Sequence, residues 1–232
     1  MARYTRVFLD VDDTLLDFGT SEHEALHEAM ALFGLPFPEE AERYYRSVNA
    51  ALWKRYEQGG ITQDALCVER FRLLLTRLGK DPEAAERLND AYAGALSRSS
   101  ILLPGALAFC RRASERFPLY ILTNGVSFIQ ERRIGSSPIA PYLSGVFISQ
   151  RMGYQKPRRE FFEAVFGALG MTDADRRQAV MIGDSLHSDI LGGLNAGIDT
   201  VWANFSGKPT DESIRPAYIA HDFGELAELL GC

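Results

Sequence analysis

The run Val7-Phe8-Leu9-Asp10-Val11-Asp12-Asp13-Thr14 constrains this chain more than any other segment. Its first three residues, β-branched, aromatic and aliphatic, read as a short buried strand. Carboxylates and a threonine follow at once. Carboxylates collect at a strand's C-terminal end against strong mutual repulsion, unless a cation or a catalytic task holds them there. In open parallel α/β sheets that end is where ligands bind. A polar turn beginning at Asp10 lets Asp10 and Asp12 address one bound phosphate and one metal ion.

After Thr14 the pattern turns helical. Ser21-Glu22-His23-Glu24 has capping-box form and predicts a helix running towards Phe33. Pro38 starts a second helix, which ends at Gly59-Gly60. Ile61-Thr62 lead into a third, stopped by Gly79, and Asp81-Pro82 open a fourth through Leu96. Strands then alternate with helices, the strands at 119–123, 146–149, 179–182, 200–203 and 218–220, with a last helix at 224–230. Such alternation implies a parallel sheet with right-handed crossovers. The expected architecture is α/β: a Rossmann-like parallel sheet flanked by helices, built from 1–16 and 101–232, with a four-helix-bundle cap inserted at 17–100.

Composition excludes several classes of partner. The net charge is -6 and no long basic tract offsets it, which argues against a nucleic-acid polymer. A small anionic substrate remains compatible, because one metal ion and one lysine make a positive pocket in an acidic protein. Three scattered cysteines, Cys67, Cys110 and Cys232, suit a reduced cytosolic protein better than a disulfide framework. Met1-Ala-Arg leads straight into strand with no apolar signal segment. The best apolar run, 101–110, is broken by Pro104-Gly105 and falls short of the about 20 residues that a membrane span needs. A cytoplasmic protein without a membrane partner is expected; no pattern speaks to oligomeric state.

Two later strand ends deliver polar groups that match the first. One gives Thr123-Asn124-Gly125, a hydroxyl, an amide and a glycine that allows close backbone approach. The other gives Gly183-Asp184-Ser185, then Asp189. Between them Lys156-Pro157 keeps its lysine on a loop. These residue types suit phosphate monoester hydrolysis, in which an anionic nucleophile must approach an anionic phosphoryl group. A divalent cation shared by phosphate and carboxylates cancels that repulsion. Asp10 can then attack phosphorus, with Asp12 donating to the leaving alcohol and later activating water. Thr123, the Asn124 backbone and Lys156 would hold the equatorial oxygens. Asp184 completes a hard oxygen shell suited to Mg²⁺, and Asp189 would orient Lys156 or a metal-bound water.

In this order the four segments resemble the four motifs of the haloacid dehalogenase-like hydrolase superfamily, over essentially the whole chain. Within it, Asn49-Ala-Ala-Leu-Trp53-Lys-Arg-Tyr56 with Gly59-Gly60-Ile61-Thr62, and the segment Ser188 to Gly197, are most similar to the noncanonical pyrimidine 5′-nucleotidases. The resemblance implies a Mg²⁺-dependent phosphatase of nucleoside monophosphates. Asp10 is then the nucleophile and Asp12 the acid/base. Asp10, the Asp12 carbonyl and Asp184 take the metal, Asn124 and Gly125 bind substrate, and Thr14, Ser185 and Asp189 support them. The chain departs from the pattern at Asp13, where the wider superfamily usually has glycine. Gln150-Arg151 replaces two acids, and Arg158-Arg159 replaces a common Asp-Pro.

Discrimination among substrates must come from the cap. Asn49, Trp53 and Tyr56 lie at i, i+4 and i+7, hence on one helical face. Trp53 could stack on a base and Asn49 could hydrogen-bond its edge; alternatively the aromatic residues fill the bundle core. A sugar-phosphate or phosphoglycolate phosphatase is the competing reading. Asp12 disfavours a dehalogenase, Thr14 a mutase, and four intact motifs disfavour an inactive binding module. His23-Glu-Ala-Leu-His27 spells a zinc-protease pattern, but it is set aside: Glu24 is assigned to the capping box and no third ligand follows at metzincin spacing. The arginine pairs, Arg132-Arg133 among them, read as solvated helix faces. Gly193 to Gly197 reads as a close helix–sheet contact.

Overall fold

The computed structural model describes residues 4–232; Met1, Ala2 and Arg3, which open the expected 1–16 segment, lie outside the described residues. In chain order the elements are β1 (Arg6–Leu9), α1 (Phe18–Leu32), α2 (Glu39–Glu57), α3 (Gln63–Arg77), α4 (Ala85–Leu96), α5 (Ala106–Ser114), β2 (Leu119–Thr123), α6 (Ser127–Ser136) and β3 (Gly145–Ile148). There follow α7 (Ser149–Met152), α8 (Arg159–Ala168), α9 (Asp173–Arg176), β4 (Ala179–Gly183), α10 (Leu191–Ala196), β5 (Asp199–Ala203), β6 (Tyr218–Ala220) and α11 (Phe223–Leu230). The chain divides into two compact units, one running up to Phe18 and resuming over Ser100–Cys232, the other spanning Gly19–Ser99.

The first unit is a parallel six-stranded sheet of order β3-β2-β1-β4-β5-β6. The register pairs Leu9 with Ile121 on one side and with Ile182 on the other. Successive side chains of a strand point to opposite faces, and both faces here are covered. Val7 and Leu9 join Ile121, Ile182 and Val201 under α5 and α11, through Phe109, Leu226 and Leu230. Phe8 points the other way, with Leu122 and Met181, into Phe161, Phe162, Val165 and Phe166 of α8. α10 lies close against this face because it carries glycines where side chains would collide. A Cβ on Gly192 would stand 2.7 Å from the Phe162 ring, and one on Gly193 2.5 Å from Thr200 Cγ2. The strand order reverses at β1, whose neighbours β2 and β4 lie at the two ends of the chain's excursion through β3. The crevice at such a switch point is where ligands bind in open α/β sheets.

The second unit holds α1 to α4. Tyr45, Phe71 and Tyr92 pack with ring centroids 5.3 to 6.3 Å apart. The buried Arg70 guanidinium lies over Phe71 and Tyr92 and donates to Asn49 Oδ1, Asn89 Oδ1 and the Cys67 carbonyl. A charge taken out of water needs such partners. Thr62 caps α3 by accepting from the Ala65 N–H, and Asp81 accepts from the Glu83 N–H as a cap does.

Some local expectations fail for identifiable reasons. α1 starts at Phe18, so Ser21 lies inside it and forms no capping box; its hydroxyl instead accepts from Ser99 Oγ. The first-turn N–H of Phe18 is met by Asp13 Oδ1 at 3.1 Å. The short helices α7 and α9 escape a periodicity search because four residues cannot show a period of 3.6. The loop after α2 is pinned by hydrogen bonds. Arg55 Nε donates to the Gly60 carbonyl, and the Gly59 and Gly60 N–H groups close the helix end on Tyr56 and Arg55. Cys67, Cys110 and Cys232 are buried and unbridged. Among the described residues no helix is long and apolar enough to cross a membrane.

Candidate active site

The site is built by the carboxyl ends of β1, β2 and β4. The Asp10 N–H donates to the Ile182 carbonyl, continuing the ladder one residue past β1. The chain then turns sharply: the N–H groups of Leu15 and Leu16 both donate to the Val11 carbonyl, and that of Asp13 to the Leu16 carbonyl. Asp13 takes φ +56°, in the left-handed region. Aspartate tolerates that region better than most residues other than glycine. Thr14 ties two strand ends together. Its hydroxyl donates to Asp10 Oδ2 at 3.3 Å and accepts from the Asp184 N–H at 3.1 Å.

Lys156 stands at the centre, with its side chain 1% exposed. Its three ammonium protons go to Asp10 Oδ1 (2.7 Å), Asp189 Oδ1 (2.6 Å) and the Leu122 carbonyl (2.6 Å). Asn124 fixes the lysine's backbone, accepting its N–H and donating to its carbonyl, both at 2.9 Å. The Lys156-Pro157 peptide is cis. Asp189 approaches because residue 183 is glycine: a Cβ there would lie 2.2 Å from Asp189 Oδ2. That same oxygen accepts from the Ser185 N–H at 3.0 Å.

Asp12 is gripped by two residues of α6. Gln130 Nε2 donates to its Oδ2 at 2.8 Å and Arg133 Nη1 to its Oδ1 at 2.5 Å. Gln130 also donates to Thr123 Oγ1 at 2.8 Å, and the Gly125 N–H donates to the same oxygen at 3.0 Å. Both lone pairs of the Thr123 hydroxyl are thus taken, and its proton is left to donate. Gly125 is required here, since a Cβ would meet Gln130 at 2.5 Å. Asp184 accepts from Lys208 Nζ at 2.6 Å, while its carbonyl accepts from Trp202 Nε1 at 2.9 Å. Asn204 clamps the Lys208 backbone as Asn124 clamps that of Lys156, accepting its N–H (2.7 Å) and donating to its carbonyl (2.9 Å).

Burial dominates the electrostatics. It pushes the Asp10 carboxyl up to about 7; Lys156 opposes this, while Asp189 and Asp12 add to it. Burial likewise raises Asp184 to about 6, reinforced by Asp10 and opposed by Lys208, and raises Asp189 to about 6 against the pull of Lys156. Burial alone would lower the Lys156 ammonium, but Asp10 and Asp189 together hold it above its ordinary value. Both signs follow from the same arrangement, in which Asp10 and Asp189 share one ammonium. One carboxylate oxygen each from Asp10, Asp184 and Asp189 lies within 4.8 Å of the others, an all-oxygen donor set of the kind that holds a hard dication.

The core residues expected from sequence therefore come together: Asp10, Asp12, Thr14, Thr123, Asn124, Gly125, Lys156, Asp184, Ser185 and Asp189. The residues expected in the helical unit are placed as follows. Asn49 is buried and its amide is engaged at both ends, donating to Glu22 Oε1 and accepting from Arg70. Tyr56 is also buried, and half-buried Trp53 meets it edge-on at 5.6 Å. Sequence reasoning missed Gln130, Arg133 and Lys208. Arg133 corrects the solvated-face reading outright, being 0% exposed beside exposed Arg132. The signal was present: Ile129, Gln130, Arg133 and Ile134 form one buried stripe of α6. The departures Arg151, Arg158 and Arg159 pair with Glu131, Glu160 and Glu163 on the surface, and Gln150 accepts from the Ser127 N–H that opens α6.

Residues 4–197 match the haloacid dehalogenase-like hydrolase family. The chain is 36% identical to the HAD-hydrolase YfnB of Bacillus subtilis, covering 99% of this chain and 97% of that protein. It is 32% identical to the pyrimidine 5′-nucleotidase YjjG of Escherichia coli (97% and 96% covered) and 33% identical to the pyrimidine 5′-nucleotidase PynA of Streptococcus pneumoniae (98% and 95%). The crystal structure of magnesium-bound YfnB superposes with a TM-score of 0.92 over 99% of this chain and all of that one. With the parallel sheet and the strand-end carboxylates, these matches establish that the chain belongs to the haloacid dehalogenase-like hydrolase family.

Proposed function

We propose that this protein hydrolyses phosphate monoesters through an aspartyl-phosphate on Asp10, with Mg²⁺, and that its substrates are pyrimidine nucleoside 5′-monophosphates. The observation that carries the reading is the Lys156 ammonium bridging Asp10 and Asp189, with Asp184 beside them and Thr14 on the other Asp10 oxygen. Lys156 and Thr14 fix both oxygens of the nucleophile, so its approach to phosphorus needs little further ordering. Thr123 donates its free proton to a phosphoryl oxygen. Asp12, aligned by Gln130 and Arg133, passes a proton to the leaving oxygen. It then takes one from the water that cleaves the phosphorus bond to Asp10. Lys156 has no spare proton in this arrangement, so it contacts phosphate only by giving up one of its present partners.

Asp10, Asp184 and the Asp12 carbonyl would hold the Mg²⁺, which supplies the charge neutralisation that lets carboxylate and phosphate approach. The Asp10 and Asp184 carboxylates fit, bringing only oxygen ligands and an excess of buried negative charge, while Asp189, the third member of the cluster, has its oxygens engaged by Lys156 and the Ser185 N–H. A pH dependence follows. In the metal-free protein Asp10 and Asp184 hold protons below about 7 and about 6, and Mg²⁺ must displace them. Mg²⁺ affinity should therefore fall as pH drops through this range and level off above it. Calorimetry from pH 5.5 to 8.5 in buffers of different ionisation enthalpy reads both the affinity and the protons released. Constant affinity across that range would contradict the assignment.

The core groups recognise phosphate alone, so the helical unit must supply discrimination among leaving groups. With both ends of the Asn49 amide engaged and Tyr56 buried, Trp53 is the remaining aromatic candidate to stack on a base. Trp53→Ala should cost nucleotide substrates roughly 1–3 kcal/mol in kcat/KM, by analogy with base–aromatic stacking, and a small aryl phosphate much less. Equal losses on both would assign Trp53 to packing against Tyr56. A kinetic screen over nucleoside monophosphates, sugar phosphates and phosphoglycolate tests the substrate class itself. Preference for pyrimidine nucleotides supports the proposal; preference for sugar phosphates or phosphoglycolate overturns it. The unbridged cysteines are in keeping with a proposed cytoplasmic location.

A further inference from the structure

The helical unit contains a second cluster of metal-capable side chains, of different chemistry from the first. Among the described residues, only two groups bring three His, Cys, Asp or Glu donors together: Asp10–Asp184–Asp189, and His23–His27–Glu42. His23 and His27 stand one turn apart on α1, with ring centroids 4.3 Å apart. Glu42, from the first turn of α2, places Oε1 2.8 Å from His23 Nδ1 and Oε2 3.4 Å from His27 Nε2. One donor atom from each residue lies within 4.8 Å of the other two. The histidine pair lacked a third ligand in the linear sequence because that ligand arrives from the next helix. The other objection also lapses, since Ser21 lies inside α1 and needs no capping partner in Glu24.

We propose that His23, His27 and Glu42 form a binding site for a late divalent transition metal, zinc being the expected occupant, that clips α1 to α2. Two imidazoles and one carboxylate suit Zn²⁺ and disfavour Mg²⁺, which takes oxygen ligands in octahedral geometry. The carboxylate is preorganised. Arg46 donates to Oε1 from both Nε (3.2 Å) and Nη2 (2.8 Å), leaving Oε2, the oxygen that faces His27, to ligate. Outer partners of this kind orient ligating carboxylates. The Glu42 side chain is 12% exposed. Burial pushes its carboxyl up, but His23, His27 and Arg46 together hold it below the ordinary range, so the anionic ligand form prevails at neutral pH. The two imidazoles are half-exposed, which gives an ion a path in and a water the fourth position. Phe37 meets the His27 ring edge-on at 5.2 Å and limits its swing. No hydrolytic role attaches to this site; its consequence is mechanical.

The test uses the full chain, stripped with chelator and returned to millimolar Mg²⁺ so that the all-oxygen cluster is offered its own ion. Zn²⁺ is titrated by calorimetry, and Co²⁺ by its visible absorption. The expected result is one Zn²⁺ per chain with a Kd on the order of micromolar or tighter. Co²⁺ should show the intense bands of a low-coordinate nitrogen-containing site. His27→Gln and Glu42→Gln should each weaken Zn²⁺ binding by at least about tenfold and abolish those bands. Zn²⁺ should also raise the melting temperature of the native chain and not of His27→Gln. His27 is exposed, so its variant is expected to fold, and circular dichroism verifies this; should Glu42→Gln unfold, His27→Gln decides alone. No Zn²⁺ binding by the native chain, or binding equal in His27→Gln, overturns the proposal.

Discussion

Asp10→Asn is expected to lower kcat by at least about a thousandfold while leaving the protein folded, because an amide cannot form the acyl phosphate. A second readout separates this from mere damage to the site. The Asp10 carboxyl is raised by burial to about 7 in the metal-free fold, from an ordinary 3.8. Between those values the folded state keeps a proton that the unfolded state has released, so this group makes stability fall as pH rises. Above about 7 the full cost of the buried charge is present. Asparagine does not titrate and escapes that cost. The metal-free Asp10→Asn protein should therefore melt higher than the native protein at pH 8, with the difference shrinking as pH falls and vanishing only below the unfolded value of 3.8. An inactive variant that melts lower at pH 8 would mean that Asp10 is needed for packing, and its inactivity would say little about chemistry.

Removing the metal site from the other side should be nearly as costly. Asp184→Ala should reduce turnover by about 10²–10³-fold at saturating Mg²⁺, and chelator should abolish native activity reversibly, since the Lys156 and Lys208 ammonium groups are already engaged with the carboxylates and leave the incoming phosphate charge to the metal. Lys208 makes the pattern specific. In the structure its ammonium occupies Asp184 Oδ2 and opposes the burial that raises this carboxyl. Lys208→Met removes a competitor for the ligand oxygen and is expected to tighten Mg²⁺ binding measured by calorimetry, whereas Asp184→Ala should weaken it. Full activity in chelator, or Mg²⁺ binding indifferent to Asp184→Ala, contradicts the assigned metal site.

Sequence made the site's framework legible because strand ends are marked by chemistry. Each of β1, β2 and β4 is a short apolar run stopped by polar residues, and those residues meet in space. Of the glycines from Gly193 to Gly197 expected to sit close to the sheet, Gly193 does, where a Cβ would meet Thr200 and Met181, whereas Gly197 has no close neighbour. Helix starts were less legible. Ser21 and Glu24 have the spacing of a cap, but a longer-range carboxylate, Asp13, took that role and moved the start of α1 to Phe18. Residues that orient others were the least visible. Gln130 and Arg133 look like ordinary helix polar residues until the fold turns their face onto Asp12 across more than a hundred residues of chain. Lys208 sits in a loop and acquires its role only because Asn204 clamps its backbone beside Asp184. His23 and His27 were visible as a pair, whereas Glu42 could be assigned to them only in three dimensions.

The central claim is a phosphoryl group carried on Asp10, and trapping it is the most direct measurement. Enzyme in excess over a nucleoside monophosphate or an aryl phosphate, with Mg²⁺, is quenched within the first turnover and treated with borohydride, which reduces an acyl phosphate to an alcohol. Peptide mass spectrometry should then find position 10 converted to homoserine in the native protein and unchanged in Asp10→Asn. Release of phosphate with Asp10 unmodified, or reductive labelling at another carboxylate such as Asp184 or Asp189, would contradict the assignment of Asp10 as the nucleophile.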